Sequence, residues 1–339
     1  MKLYSGIDLH SNNHVLVVID QKDNVLFQKR LPNDLETTLR MLKPYQTNIQ
    51  GIAVESTFNW YWLVDGLMEK GYPLHLVNTA AVKQYEGLKH TDDEDDAFWL
   101  AHLLRLDILP TGYIYPKEQR AIRDLLRKRC RLVQQRTTLV LSAMSLYTRL
   151  TGRNASSNVI KRPHAEDIYL SNMDDQNRKM EMQSSLTLIQ AFEAQISAIE
   201  KAVLTQIKLM SGFMGLKSVP GIGDILGLTI MLETGDIHRF ASPGNYASYG
   251  RCVSSKRVSN GKKKSENNRK NGNKYLSWAF VEAANFAIRF NPRAKRFYQR
   301  KLAQRGRVVA IKATAHKLAR ACYYIMRDQV PFKESMLFH

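Results

Sequence analysis

Four acidic residues occupy positions from which they could hold metal ions. Asp8 and Glu55 each end an otherwise apolar, strand-like segment, SGIDL and GIAVE, where a carboxylate is costly unless it is paired or binds a metal. Asp93 and Asp96 lie three residues apart, on one face of the helix that begins in the run HTDDEDDA. Carboxylates converging from two strands and a helix suit Mg²⁺, which prefers oxygen ligands, and paired ions stabilise both reacting oxygens in phosphoryl transfer. The pattern therefore predicts a magnesium-dependent phosphoryl-transfer site.

The five consecutive acids at residues 92–96 leave the register of the last pair open. Asp92 and Asp95 have the same spacing as Asp93 and Asp96, and acids that are not ligands would interact favourably with the positive end of the helix dipole. A purely structural alternative is that the whole acidic run is only a negatively charged helix N-terminus with no metal ligands. The two strand-terminal carboxylates favour the metal site.

A basic segment from Ser254 to Lys274 is the second region whose residue types point to a function. It contains eight lysines and arginines and a single acid, Glu266. Apolar helical patterns flank it, so we expect an internal loop that is held at both ends and can grip phosphate groups. The nucleic-acid contacts predicted in this loop are Lys256, Arg257, Lys262, Lys263, Lys264, Arg269, Lys270 and Lys274.

Two further basic segments are helical, at residues 123–136 and 293–307, and aromatic residues interrupt the second. From the first we add Arg127 and Arg131 as predicted nucleic-acid contacts, because cations on one helix face suit a phosphate backbone. For either helix the simpler alternative is an ordinary solvated face.

The overall charge also indicates a polyanionic partner. A formal net charge of +19 over 339 residues produces a broad positive field that attracts nucleic acid. No apolar run approaches the ~18 residues of a membrane span, and no signal-peptide core is present, so we expect a cytoplasmic protein. The three cysteines are far apart, which excludes a CxxC zinc site and a disulfide framework.

The elements that must position these residues fall into three predicted domains. Residues 1–115 begin as an antiparallel meander and continue with alternating helices and strands, which predicts a mixed sheet flanked by helices. Residues 116–212 contain two long charged helices, near 118–150 and 174–210, which indicate an extended hairpin or coiled coil. Their heptads are imperfect, so two ordinary helices packed against a core are the alternative.

The third predicted domain, residues 213–339, is mostly helical. Its segment VPGIG, residues 219–223, makes a tight turn before a helix and is typical of a helix-hairpin-helix element, whose glycines let backbone amides approach a phosphate. A simple helix-packing turn is the alternative. The last helix is predicted from Ala303 to Arg327.

Several motifs, taken in order, resemble the insertion-sequence 110 family of transposases, and particularly its 1111 subgroup of DEDD recombinases related to pilin-gene invertases. The motifs are GIDLH, AVEST, HTDDEDDAFWLAHLL, SVPGIG and SNGKKK. The resemblance extends over nearly the whole chain. It implies a RuvC-like catalytic domain with a ribonuclease H-like fold, a long helical dimerisation region and a C-terminal transposase domain.

The resemblance implies a catalytic, Mg²⁺-binding set of four carboxylates, which fall here on Asp8, Glu55, Asp93 and Asp96. It favours this register of the last pair because an alanine, here Ala97, follows the last aspartate of the family.

The resemblance further implies an essential serine in a glycine-containing loop. Ser259 in RVSNGKKK is the matching residue, with Ser254 and Ser255 as nearby alternatives. Without the resemblance we would assign this serine no role.

The implied function is DNA transposition through a covalent serine–DNA intermediate. The family's non-coding guide RNA pairs with target and donor DNA, and its members work as dimers that join into tetramers in the bacterial or archaeal cytoplasm, associated with the nucleoid. Two other hypotheses stay open: a metal-dependent, structure-selective nuclease without serine chemistry, and a non-catalytic scaffold that binds RNA or DNA.

Overall fold

The computed structural model describes residues 1–82, 93–171, 173–207, 211–253, 256–266 and 271–333. The chain divides into two compact units, Met1–Lys117 and Glu118–His339. Among these described residues, no helix is long and apolar enough to cross a membrane.

The first unit contains a five-stranded mixed sheet within the described residues. Its strands are β1 (Leu3–Leu9), β2 (Asn13–Ile19), β3 (Val25–Pro32), β4 (Ile49–Glu55) and β5 (Leu74–Val77), and its helices are α1 (Leu35–Leu42), α2 (Tyr61–Glu69), α3 (Thr79–Val82) and α4 (Asp93–Arg105). The strand order is β3-β2-β1-β4-β5, with the first three strands antiparallel and β4 and β5 parallel to β1. The predicted meander and mixed sheet are confirmed.

Both faces of this sheet are covered by helices. On one face, Leu63 and Leu67 of α2 pack with the fully buried Ile7 and Ile52 of the central strands. On the other face, the small side chains of α4 pack against β2, so that this helix lies unusually close to the sheet. Burial on both faces explains why β1, β2 and β4 carry apolar residues on both sides of the sheet.

The two long helices of the second unit are α5 (Lys117–Thr151) and α8 (Gln176–Ile207), with short helices α6 (Ser157–Ile160) and α7 (Ala165–Tyr169) between them. Ion pairs join α5 to α8, with 2.6 Å between Arg129 Nη2 and Glu200 Oε1 and 2.8 Å between Arg136 Nη1 and Glu193 Oε2. An apolar cluster that includes Leu146 and Leu186 packs between them. The two predicted long helices are confirmed.

The remainder of the second unit is mostly helical. Its elements are α9 (Ser211–Lys217), α10 (Asp224–Thr234), α11 (Pro243–Tyr249), β6 (Lys256–Ser259), β7 (Lys262–Glu266), α12 (Lys274–Phe290), α13 (Pro292–Arg305) and α14 (Arg307–Asp328). Its core is formed by fully buried side chains such as Tyr246, Phe280 and Leu318. The predicted start of the last helix at Ala303 is wrong, because Gly306 with φ 82° separates α13 from α14.

The VPGIG turn joins α9 to α10 and packs closely on α12. Gly221 has φ 87°, and a Cβ at this position would lie 2.7 Å from the backbone nitrogen of Ala287 and closer still to the carbonyl oxygen of Ala283. The turn therefore needs a glycine at position 221 for close packing on α12, as expected if VPGIG is a simple helix-packing turn. Phosphate binding at this turn stays a prediction.

Candidate active site

Asp8 and Glu55 end two neighbouring parallel strands. In the register of β1 with β4, Ile7 lies opposite Val54, so the next rung brings Asp8 beside Glu55. The side chain of Asp8 is buried, at 5% exposure, and that of Glu55 is half-buried. Parallel pairing therefore explains why two carboxylates 47 positions apart in sequence meet at one edge of the sheet.

Both carboxylates lie on the face of the sheet that α4 covers. Side chains alternate along a strand, so Asp8 shares its face with Gly6, and Glu55 points the same way from the adjacent rung. A Cβ on Gly6 would lie 2.8 Å from the backbone nitrogen of Ala101, which means that the backbones of β1 and α4 are in direct contact. This approach brings the first turn of α4, which includes Asp96, to the carboxyl ends of the strands.

The electrostatics of Glu55 show that three acids share this site. Burial, a hydrogen bond with Asp8 and the negative charges of Asp8 and Asp96 together raise the pKa of Glu55 to about 8. A hydrogen bond between two carboxyl groups needs a proton on one of them, as is usual for like charges at short distance. The structure thus places Asp8 beside Glu55, and the charge of Asp96, whose side chain is exposed, acts on Glu55.

The fourth predicted ligand, Asp93, is the first residue of α4. Its side chain lies outside the described residues, as does the whole of Asp92 from the alternative register. Among the acids of α4 whose side chains are described, Asp96 has a charge that acts on Glu55, and the register of the last pair stays a prediction. Among the described side chains, no group of three or more histidine, cysteine or acidic residues is arranged to hold a metal ion.

His10 is a site residue that the sequence analysis missed. Its Nε2 lies 3.1 Å from Oδ2 of Asp8, and its carbonyl oxygen accepts hydrogen bonds from the side-chain amides of Asn33 (3.0 Å) and Asn59 (2.9 Å). The two amide contacts hold the chain at the end of β1, and the imidazole of His10 lies beside the Asp8 carboxylate. The available signal was the motif DLH, which puts a histidine two residues after the acid, on the same side of an extended chain.

Ser259 lies at the tip of a β-hairpin. It ends β6 and pairs with Lys262 of β7, and its side chain is exposed. Asn260 and Gly261 have φ of 51° and 70°, the left-handed values that a two-residue type I′ turn requires. The prediction of a loop was therefore wrong for residues 256–266, and the Asn-Gly pair was the signal for a hairpin. The alternatives Ser254 and Ser255 lie outside the described residues.

Arg251 joins the two ends of the basic segment that carries the hairpin. Its Nη2 donates to the carbonyl oxygen of Gly272 (2.9 Å), and its Nε donates to that of Asn271 (2.8 Å). The carbonyl oxygen of Arg251 accepts a hydrogen bond from Lys312 of α14 at 3.0 Å. The base of the segment is thus anchored to the helical core, as a loop held at both ends requires.

The predicted nucleic-acid contacts have different placements. Exposed side chains are found at Lys262, Lys264, Lys274 and Arg131. Lys256, Arg257 and Lys263 lie on the hairpin strands, with side chains outside the described residues, and Arg269 and Lys270 lie wholly outside them. The hairpin therefore presents at least two exposed lysines close to Ser259.

Arg127 is held in an ion pair inside the second unit. Its Nε and Nη2 donate to the two carboxylate oxygens of the buried Glu233, at 2.5 and 2.7 Å. The side-chain amide of Asn273, which caps α12, also donates to Glu233 at 2.7 Å. A direct phosphate contact by Arg127 would have to break this pair and leave a buried carboxylate uncompensated, so the geometry does not favour the predicted contact of Arg127 with nucleic acid.

Comparison with known proteins identifies the class of enzyme. A family model of IS110-type DEDD transposases, described as a transposase, matches residues 5–148, and a model described as transposase IS116/IS110/IS902 family matches residues 215–299. The chain belongs to the IS110 family of transposases. This transposase is also similar to a probable family 20 transposase of Pseudomonas aeruginosa strain PAO1, with 23% identity over 340 residues that cover 97% of this chain and 98% of that protein.

Membership confirms three sequence predictions: the family, an enzyme of transposition, and DNA as a partner. The first matched range contains the four predicted carboxylates of the transposase, and the second contains Ser259. Assignment to the 1111 subgroup stays a prediction.

Proposed function

We propose that the transposase cuts and rejoins DNA through a covalent link to Ser259, assisted by Mg²⁺ that Asp8, Glu55, Asp93 and Asp96 hold. The observation that supports this most is the pairing of Asp8 with Glu55 at the ends of β1 and β4, together with the charge of Asp96 that acts on Glu55 from the start of α4. Buried like charges are unfavourable without a counter-ion. A carboxylate cluster in a protein with a net charge of +19 therefore suits a cation-dependent site.

The donor atoms fit magnesium, since all are carboxylate oxygens. In the described site Asp8 and Glu55 are hydrogen-bonded to each other through a proton, and a divalent cation would take the place of that proton. When bound, Mg²⁺ would supply Lewis-acid activation of the scissile phosphate. His10 would keep the Asp8 carboxylate oriented, because it contacts one carboxylate oxygen directly.

Ser259 would supply the nucleophile. Its Oγ forms a bond to phosphorus and loses its proton, while the bond between phosphorus and the sugar oxygen breaks and that oxygen gains a proton. The phosphodiester energy is retained in the serine ester, so the reverse attack by another strand end rejoins DNA without an external energy source. Exposure at a hairpin tip and the adjacent exposed lysines, Lys262 and Lys264, favour close approach to a phosphate.

The architecture supports a ribonuclease H-like, RuvC-like catalytic domain. The antiparallel β1–β2–β3 meander, followed by parallel β4 and β5 in the order β3-β2-β1-β4-β5, has the first acid on the central strand and the second on its neighbour. We propose the division into a catalytic domain at 1–115, a dimerisation region at 116–212 and a transposase domain at 213–339. The transposase would act as a dimer or tetramer.

A non-coding guide RNA would read the sequences of target and donor DNA by base pairing. The large positive charge supports this division of labour, because the protein then binds backbone phosphates of both nucleic acids without sequence readout. Sequencing of RNA that copurifies with the transposase tests this part: a single defined species is expected, and random cellular RNA would contradict it.

The serine assignment is tested by trapping the covalent adduct on labelled DNA under denaturing conditions with Mg²⁺ present. Ser259→Ala is expected to abolish both adduct and strand exchange. Ser254→Ala and Ser255→Ala are matched controls from the same segment and should retain both. An adduct that persists in Ser259→Ala and disappears in one control would reassign the nucleophile. DNA cleavage without an adduct in any variant would instead favour the metal-dependent nuclease.

A further inference from the structure

A groove of about 690 Å³ lies along α14 and the segment that follows it, far in sequence from the serine hairpin. Its floor is apolar and includes Ile325, Pro331 and Phe332. Tyr324 lines the same groove with its side chain 40% exposed, and the guanidinium of Arg327 lies 5.0 Å from the centre of its ring. A volume of this size accommodates a nucleotide-sized ligand.

Cations of α14 line the groove, and a further cation, on α13, lies close to one of them. Lys317 and Arg300 both lie over the ring of Phe297, with Nζ and Cζ 5.1 and 5.7 Å from its centre. Arg320 and His316 line the groove beside Lys317. The acid in the lining, Asp328, is ion-paired with Arg327, with 2.7 Å between Oδ1 and Nε.

These cations act on one another. Burial, together with the positive charges of Arg300, Arg320 and Lys301, lowers the pKa of Lys317. Burial and the charges of Arg320 and Lys317 lower the pKa of His316 in the same way. Cations held this close repel each other, and the repulsion is relieved when an anion binds among them.

An apolar, aromatic floor beside a cationic wall matches single-stranded nucleic acid. Bases of a single strand are free to stack on aromatic side chains, and its phosphates track a positive groove, whereas the bases of a duplex are stacked on each other. Burying this many cations against a protein partner would be costly, unless the partner were unusually acidic. The nucleic-acid partner established by family membership makes the single strand the better occupant.

We propose that this surface, the α14 groove, binds a single-stranded segment of nucleic acid, with backbone phosphates at Lys317 and Arg320 and a base against Tyr324. A displaced DNA strand and an unpaired RNA loop share this chemistry. This inference requires only that the transposase binds nucleic acid. It holds or fails independently of the serine and carboxylate assignments.

The test uses the full chain with Ser259→Ala, without Mg²⁺, so that DNA cleavage does not enter. Fluorescence anisotropy measures the Kd of labelled single-stranded DNA and RNA of about 15 nucleotides over a salt series. Lys317→Gln with Arg320→Gln should raise Kd at least about tenfold at low salt and reduce the slope of log Kd against log salt by about 1.4, because single strands contribute about 0.7 per neutralised phosphate. The DNA and RNA arms identify which strand the groove prefers.

Stacking is tested separately from charge. Tyr324→Ala should raise Kd about fivefold to a hundredfold with an unchanged salt slope, and Tyr324→Phe should bind like the parent. With an abasic oligonucleotide, the parent and Tyr324→Ala should bind equally, because no base remains to stack. A general loss of folding would not produce this dependence on the ligand.

The control for charge is Lys2→Gln with Lys70→Gln, which removes two exposed lysines from the first unit and should leave the salt slope near that of the parent. If the double groove variant melts at a lower temperature than the parent, the test of charge is repeated with Arg320→Gln alone, because Arg320 is exposed. Unchanged Kd and slope in the groove variants, or an equal loss in the control, would overturn the proposal. So would groove variants that alter self-association and leave strand binding intact.

Discussion

At the scale of single residues, Glu55 is a strongly perturbed group of the carboxylate site. Its neighbours Asp8 and Asp96 are both acidic, and burial adds to the cost of ionising it, so its pKa rises from 4.5 to about 8. Such crowding of like charges is common where a protein holds a cation. The free energy of the metal-free fold should therefore depend on the protonation of this one side chain.

Glu55→Gln should stabilise the metal-free transposase at pH 8. A raised carboxyl pKa means that the folded state binds more protons than the unfolded state between pH 4.5 and about 8, so stability falls as pH rises through this window. The glutamine variant lacks this loss and should be more stable by about 1 to 2 kcal/mol at pH 8, after allowance for solvent screening. Thermal unfolding over a pH series measures the difference.

Thermal unfolding of the parent and Glu55→Gln in the presence of Mg²⁺ tests whether Glu55 is a metal ligand. At pH 8 the ion should raise the Tm of the parent and have little effect on Glu55→Gln, which has lost a ligand. Glu69→Gln removes an exposed carboxylate from α2 of the same unit and serves as the control. Identical pH and Mg²⁺ responses in the parent and Glu55→Gln would contradict the carboxylate site.

At the scale of elements, α4 is the part that completes the site. Near its start it touches β1 at Gly6, and at its end Arg105 makes a bidentate ion pair with Asp23, with both N–O distances 2.6 Å. His102 contacts the same carboxylate at 3.0 Å. Two contacts at opposite ends fix the helix along its length, and so fix where Asp96 lies relative to the strands.

Gly6→Ala should displace α4 and inactivate the transposase. The added methyl group would overlap the backbone of α4 at Ala97 and Ala101, and backbone cannot move aside as a flexible side chain can. We expect a loss of about 1 to 3 kcal/mol in stability from overpacking and about a hundredfold or greater fall in the rate of adduct formation, since shifts near 1 Å can have that effect.

The matched control for Gly6→Ala is Gly112→Ala in the same unit. A Cβ at Gly112 would lie 3.5 Å from the carbonyl oxygen of Leu76, an ordinary contact. Measurement of Tm and adduct yield for both variants separates a displaced helix from a general effect of alanine. Full activity in Gly6→Ala would show that the position of α4 does not matter for the reaction.

The β6–β7 hairpin is the element that presents the proposed nucleophile. Its two-residue turn sets the register so that Ser259 is the last residue before the tip, and Arg251 closes the base of the segment. A hairpin defines the position of an exposed serine better than an open loop would, because the paired strands restrict the backbone on both sides of it.

At the scale of the whole molecule, charge governs the encounter with nucleic acid. Cations that contribute to the net charge of +19 lie both in the basic hairpin and along the α14 groove. The affinity for RNA or DNA should fall by about 10³ to 10⁵ between 50 and 200 mM salt if about 6 to 10 phosphates are contacted. Binding isotherms over this range measure the slope, and a flat response would show that recognition does not depend on the backbone.

Patterns in the amino-acid sequence predicted much of the secondary structure. Apolar alternation predicted β1 to β3, and the long charged periodic stretches predicted α5 and α8. The carboxylates Asp8 and Glu55 were recognisable because an acid at the end of an apolar strand is costly. The basic composition of residues 254–274 predicted a loop, whereas the pair Asn260-Gly261 is typical of a two-residue hairpin turn.

Other features arise only from contacts between distant segments. The ion pair of Arg127 with Glu233 joins residues 106 positions apart, and no local pattern distinguishes this arginine from the exposed Arg131 one helical turn later. The contact between the ammonium group of Lys317 on α14 and the ring of Phe297 on α13 likewise depends on how two helices pack.

The amino-acid order by itself determined which elements form, where acids and bases concentrate and, through its motifs, the family of the enzyme, because propensity, periodicity and charge are properties of neighbouring residues. The tertiary structure decided that Asp8 lies beside Glu55 at one edge of the sheet, that the charge of Asp96 acts on Glu55, that His10 lies against Asp8 and that Arg127 is ion-paired with Glu233. These outcomes depend on strand register and on the close packing of α4 at Gly6. Both are set by the whole core at once, so no segment specifies them alone.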